Sequence, residues 1–184
     1  MFEPHGSPLP LAKEKKVAAP SSLDDAGKGN TEIDEPPSVK ARVLLVEDEK
    51  AIREHLAEAL ASDFEIAVAA DGKQALLAVL RRRPDVIVTD IVMPGLDGVE
   101  LVRLLRDTPS TSTIPILLTS GKAAEDLRIE GFEVGADSYL AKPYSEREVK
   151  ARIRAMLEGA RRRDEVENQR ALERTTAERA ALLE

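Results

Sequence analysis

From Ala41 onward, short continuous apolar runs alternate with apolar positions at helical spacing. Val43-Leu44-Leu45-Val46 has the length of a strand, and Ile52, Leu56, Ala59 and Leu60 follow on one helical face. Glu65 to Ala69 is a weaker strand, and Ala75, Leu76, Val79 and Leu80 mark a second helix. Val86 to Val88 predicts a third strand and Val99 to Arg106 a third helix. Asp97 is its expected N-cap, and Glu100 completes a capping box. Ile114 to Leu118 predicts strand four, Glu125 to Val134 helix four ended by Gly135, and Ser138 to Ala141 strand five. Ser145, with Glu148 three residues on, opens helix five. Strands that are apolar without alternation are buried on both faces, as in a parallel sheet covered by helices. Five such strand and helix units over residues 41–159 predict a doubly wound α/β domain.

The pattern changes at both ends. Residues 1–40 hold six of the eleven prolines and show neither period, so a disordered tail is expected there. Lys13, Lys15 and Lys16 within it read as a solvated charge run. From Ser145 to Glu184 there is no proline and one glycine, Gly159, which predicts an extended C-terminal helix of roughly 60 Å at about 1.5 Å per residue. Its packing stripe of Val149, Ile153, Met156 and Ala160 continues onto Arg163, Glu167, Arg170 and Arg174, so residues 160–184 read as a charged helical extension or linker. Val166, Leu172, Ala180 and Leu183 offer only a thin coiled-coil seam.

Charge and composition narrow the function. The formal charge is −7, and bases against acids number 5 and 7 in residues 1–40, 16 and 21 in 41–159, and 6 and 6 in 160–184. Phosphate contacts dominate nucleic-acid affinity, and with no basic region direct nucleic-acid binding is not expected. The absence of cysteine excludes disulfides and thiolate metal sites, and the two histidines, His5 and His55, fall in separate segments. The start MFEPHGSPLP lacks the basic and apolar regions of a signal peptide, and no apolar run has membrane-spanning length. A cytoplasmic protein without membrane contact is the expectation.

In open α/β sheets, ligands bind outside the carboxyl ends of the strands. Those ends carry Glu47-Asp48, Asp90, Thr119-Ser120 and Lys142-Pro143. Singly, each has an ordinary reading as a helix-terminus acid, a turn residue, a cap or a loop lysine. Together they place three acids, a hydroxyl pair and an ammonium around one cleft. Close carboxylates repel, so either one takes a proton or a cation neutralises them. With oxygen ligands alone, Mg²⁺ fits. A carboxylate beside such an ion can attack a phosphoryl group, while Thr119 and Lys142 supply donors and positive charge to the phosphoryl oxygens. Asp90, in the middle, is the natural nucleophile.

The segments VLLVEDE, DVIVTDIVMPGLDG, IPILLTSG and GADSYLAKPY resemble, in order and spacing, the receiver domain of bacterial two-component response regulators. The resemblance runs from about Arg42 to Leu157. It implies a flavodoxin-like five-stranded parallel sheet of order 2-1-3-4-5. It also implies Asp90 as phosphoacceptor, Glu47 and Asp48 as the acidic pair at a Mg²⁺ site, and the backbone carbonyl of Val92 as a further ligand. Thr119 is implied to follow the phosphoryl group and Lys142 to pair with it, with the Lys142-Pro143 bond cis. Tyr139 resembles the switch aromatic that turns inward when Thr119 moves, remodelling the surface of helix four, strand five and helix five. The sequence departs from the common pattern twice, with Glu47 where many members have Asp, and with Ser120-Gly121 after Thr119 where Ala is usual. The second departure bears on access to the phosphoryl group.

Rival chemistries fail on particular residues. A haloacid-dehalogenase phosphatase resembles D-x-D, and Val92 stands where the second acid belongs. Three acids at the switch point would repel the phosphate of FMN, and neither nucleotide-binding glycine fingerprint follows strand one. His55 lies inside helix one without the flanking residues of a kinase phosphohistidine. The implied partner is a histidine kinase or phosphotransfer protein, with Mg²⁺-dependent autophosphorylation and autodephosphorylation. The C-terminal helix fits either coupling to a downstream output domain or homodimerisation. The alternative is a phosphorylation-independent receiver-like interaction module, which would be expected to lack an acid, Thr119 or Lys142.

Overall fold

The computed structural model describes residues 40–121 and 125–181. The tail expected over residues 1–40 lies outside them except for Lys40. The apolar runs become β1 (Arg42–Val46), β2 (Glu65–Ala69), β3 (Val86–Asp90), β4 (Ile116–Ser120) and β5 (Ser138–Ala141). They alternate with α1 (Lys50–Leu60), α2 (Gly72–Arg81), α3 (Gly98–Asp107), α4 (Glu125–Glu133) and α5 (Glu146–Ala181). The strands form one parallel sheet of order β2-β1-β3-β4-β5, so all carboxyl ends share one edge.

Neighbouring residues of the central strands enter opposite cores. Val43, Leu45, Val86, Val88 and Leu117 pack with Leu56 and Leu60 of α1 and with Val149 and Ile153 of α5. On the other face Leu44, Val46, Ile87, Ile116 and Leu118 meet Ala75 and Val79 of α2 and Val99, Val102 and Leu105 of α3. Each such aliphatic side chain, fully buried, contributes about 1.5–3 kcal/mol. The sheet is therefore a rigid support for whatever its edge carries.

β4 starts at Ile116, two residues later than Ile114. Pro115 has no N–H to give the ladder, although its carbonyl accepts from Ile87 N at 2.9 Å. Ile114 is still wholly buried. Both expected capping boxes form. Asp97 Oδ1 accepts from Glu100 N at 2.8 Å, and Ser145 Oγ accepts from Glu148 N at 3.2 Å, with each glutamate accepting from the cap backbone in return. Gly135 follows α4 with φ 104°, where a side chain would be strained. Arg106 ties α3 to distant loops by donating to the carbonyls of Gly135, Ser112 and Ile114 and to the Asp137 carboxylate at 2.8–3.0 Å.

α5 is rooted by Val149 and Ile153, both fully buried. From Arg161 to Arg179 every position is exposed, so the helix leaves the core where its apolar stripe ends. No helix among the described residues is long and apolar enough to cross a membrane.

Candidate functional site

β1 ends at Val46, and Glu47 and Asp48 begin the connection to α1. The Glu47 side chain is almost fully buried, whereas Asp48 is exposed. Arg53 of α1 turns back and donates to the carbonyls of Glu47 (2.6 Å) and Asp48 (3.1 Å), fixing the loop that carries both acids. Asp90 closes β3 and is buried, with Val92 N 3.4 Å from its Oδ1. Val92 itself has an exposed side chain.

Gly98 lets α3 begin directly under this strand end. A Cβ there would lie 2.2 Å from the Asp90 carbonyl oxygen, and Gly98 N donates to Ile91 O at 2.9 Å. On the other side, Thr119 stands opposite Asp90 in the β3–β4 register. Its Oγ1 makes a long 3.4 Å bond to Thr89 O. Lys142 follows β5, and its backbone N–H donates to Ser120 O at 2.7 Å. The Lys142-Pro143 bond is cis.

Lys142 Nζ donates to Asp90 Oδ2 at 2.5 Å and to Glu47 Oε2 at 2.9 Å. Burial pushes the Glu47 carboxyl above the ordinary carboxylate range; Lys142 pulls it back in part, and the Asp90 charge adds to the rise. Burial alone would lower the Lys142 ammonium, but the hydrogen bonds and charges of Asp90 and Glu47 outweigh it and raise it. Glu47, Asp48 and Asp90 each offer a carboxylate oxygen, all within 4.8 Å of one another. Three carboxylates and one ammonium leave a formal charge of −2 at a site of oxygen donors. That donor set suits a hard divalent cation such as Mg²⁺.

Tyr139 is the second residue of β5, half-buried against the α2–α3 core, with the Arg128 guanidinium 5.5 Å from its ring centre. His55 is exposed on α1, its Nε2 3.1 Å from Glu146 Oε1, which agrees with an ordinary helix residue. Asp97 is occupied in its cap, apart from the acidic cluster. Two residues at the site carry no distinguishing signal in the sequence. Arg53 carries no motif that separates it from other helix arginines. Tyr144, two residues after Lys142, has a buried hydroxyl that no periodicity reveals.

An acidic cluster, a hydroxyl and a bridging lysine at the carboxyl edge of a 2-1-3-4-5 sheet define a receiver-type phosphoacceptor module. Residues 43–154 match the response regulator receiver domain, and the chain belongs to that family. It is 43% identical over 116 residues to the phosphate regulon transcriptional regulatory protein PhoB of Pseudomonas aeruginosa, covering 62% of this chain and 51% of that one. It is similar to the solved chemotaxis protein CheY4 of Vibrio cholerae, with TM-score 0.60 and 31% identity over 64% of this chain and 98% of that one. The receiver domain of a signal transduction histidine kinase from Syntrophus aciditrophicus matches with TM-score 0.61 and 29% identity, over 65% and 91% of the two chains. The chain spans about half the length of the curated relatives it matches. This is a receiver domain of two-component signal transduction. Such domains act with histidine kinases, and the family typically binds Mg²⁺ at an acidic cluster.

Proposed function

We propose that Asp90 accepts a phosphoryl group from a histidine kinase or phosphotransfer protein in the cytoplasm. The observation that carries this reading is the Lys142 ammonium, held between Asp90 and Glu47. An Asp90 carboxylate oxygen attacks phosphorus and forms a P–O bond as the donor's P–N bond breaks, and the leaving imidazole takes the bonding electron pair. Lys142 compensates charge on the phosphoryl oxygens, and the Thr119 hydroxyl donates to one of them. Glu47, Asp48, Asp90 and the Val92 carbonyl would hold Mg²⁺, which when bound neutralises developing phosphoryl charge. Water then attacks phosphorus, the P–O bond to Asp90 breaks with its electron pair returning to the carboxylate, and inorganic phosphate leaves with the water's protons.

Movement of Thr119 toward the phosphoryl group frees space beside Tyr139, whose inward turn remodels the α4–β5–α5 surface. The exposed part of α5 passes this change to a downstream output domain or to a second copy of the chain. Light scattering with and without a phosphoryl mimic separates the two, since a monomer in both states removes the dimer reading. The weakly acidic charge balance argues against direct nucleic-acid binding by these residues.

Incubation with acetyl phosphate and Mg²⁺ followed by intact mass tests the central reading. Gain of one phosphoryl mass, absent in Asp90→Asn, is expected. No gain in the wild-type protein overturns it in favour of a phosphorylation-independent interaction module.

A further inference from the structure

Tyr144 sits two residues beyond Lys142, with its ring packed on the core between α1 and α5. The hydroxyl at its tip is shielded from solvent and has no hydrogen-bond partner of proper geometry among the described residues. It nevertheless lies beside the Thr119 side chain and within electrostatic reach of Lys142, Glu47 and Asp90. Buried polar groups are nearly always paired, so an unpartnered hydroxyl at a reaction site calls for an explanation.

Its neighbours narrow the choice of partner. The Lys142 ammonium offers only donors, and its hydrogen bonds run to Asp90 and Glu47. Thr119 Oγ1 is a hydroxyl oxygen with acceptor capacity that faces the Tyr144 hydroxyl, and among the described residues its proton goes to Thr89 O over a long 3.4 Å contact. Both hydroxyls are thus poorly satisfied in the unmodified protein. Burial raises the Tyr144 phenol above its ordinary value, which keeps it a donor near neutral pH.

We infer that Tyr144 is a positioning residue for Thr119: once the Thr119 hydroxyl turns its proton to a phosphoryl oxygen on Asp90, the Tyr144 hydroxyl donates to Thr119 Oγ1. The inference rests on the reading of Asp90 as phosphoacceptor. The chain Tyr144 O–H to Thr119 O–H to phosphoryl oxygen fixes the direction of the threonine proton. It satisfies in the phosphorylated state a donor left unpaired before it, and adjacent bonds in such a chain strengthen one another.

The test is a double-mutant cycle of Tyr144→Phe and Thr119→Val on the full chain, reading the affinity for beryllofluoride with Mg²⁺ and the phosphoryl occupancy at steady state with acetyl phosphate. Tyr144→Phe is expected to lower both by about threefold to tenfold, the worth of one neutral hydrogen bond, and to change neither in the Thr119→Val background. Thr119→Ala supplies a second background should the valine variant fail to fold. The thermal midpoint of unmodified Tyr144→Phe is expected to equal or exceed that of the wild type, because the hydroxyl removed has no well-aligned partner there among the described residues. Equal affinities for wild type and Tyr144→Phe overturn the inference, as does an equal loss in both Thr119 backgrounds. A wild-type protein that gains no phosphoryl mass fails earlier, at Asp90, and overturns both readings together.

Discussion

Lys142 and Asp90 belong to the ends of β5 and β3, which are separated in the sheet by β4, yet the ammonium lies 2.5 Å from the carboxylate. The lysine crosses over the end of β4, where Thr119 stands opposite Asp90. Three strand ends are thereby joined around one carboxylate, and Glu47 from β1 makes a fourth through the same ammonium. The ion pair is the point at which the sheet edge becomes a site.

Replacing Lys142 by Met leaves the buried Asp90 and Glu47 facing each other without a counter-ion. A destabilisation of about 2–4 kcal/mol is expected, below the cost of breaking a fully buried pair because Lys142 retains some exposure. Urea unfolding with and without Mg²⁺ checks it, with the cation expected to restore part of the loss. A variant as stable as wild type in metal-free buffer contradicts this account.

Arg53 acts on the acids through their backbone. Arg53→Ala frees the Glu47 and Asp48 carbonyls and loosens the loop. Mg²⁺ affinity by titration calorimetry is expected to fall roughly tenfold, as for other residues that orient metal ligands indirectly. Unchanged affinity would show that the loop is held by other means.

Gly98 has no room for a methyl group, with the Asp90 carbonyl oxygen 2.2 Å from its Cβ position. Gly98→Ala must push α3 away from β3, at roughly 1–3 kcal/mol, and is expected to slow phosphorylation of Asp90 by acetyl phosphate. Stability and phosphorylation rate are both measurable on the one variant, and a wild-type value for either counts against close packing at this point.

Asp63, in the connection before β2, accepts from Lys150 at 2.8 Å and from Ser62, and also pairs with Arg154 of α5. The Lys150 and Ser62 hydrogen bonds hold its carboxyl well below the usual range. A folded-state pKa below the unfolded one gives stability that is present above about pH 4 and lost as pH falls through the folded value. Asp63→Asn is therefore expected to be less stable at neutral pH and to lose less between about pH 4 and pH 2. Parallel acid titrations of the two proteins would refute this.

The strands and the positions of the site acids were legible because they depend on local pattern. Val43 to Val46 and Val86 to Val88 read directly as doubly buried runs, and a parallel sheet then places their following acids on one edge. Asp97 could be assigned to a cap because Glu100 stands three residues on. Asp71 carries the same signal in Gln74, and its carboxylate accepts from Gln74 N, so the start of α2 is also marked in the sequence. What remained hidden depends on contacts remote in sequence. Arg106 finds its acceptors up to 31 residues away, and the Tyr144 hydroxyl takes its significance from Thr119 across the sheet edge. β4 begins two residues after its apolar run does, because apolarity continues through Ile114 while the ladder depends on which residues carry an N–H.

α5 couples two mechanically different stretches in one continuous element. Val149 and Ile153 clamp its base in the core, Arg161, Arg163, Asp164 and Glu167 line a cleft with Lys40, Arg83 and Thr113, and every described position beyond them to Arg179 is exposed. Beyond Glu167 the helix runs on to Ala181 as a projecting arm of about 20 Å. A tilt of about 5° at the base of that arm carries its tip through about 2 Å at that length. A small reorientation of the helix is thus magnified toward its far end, because α5 is unbroken from Glu146 to Ala181.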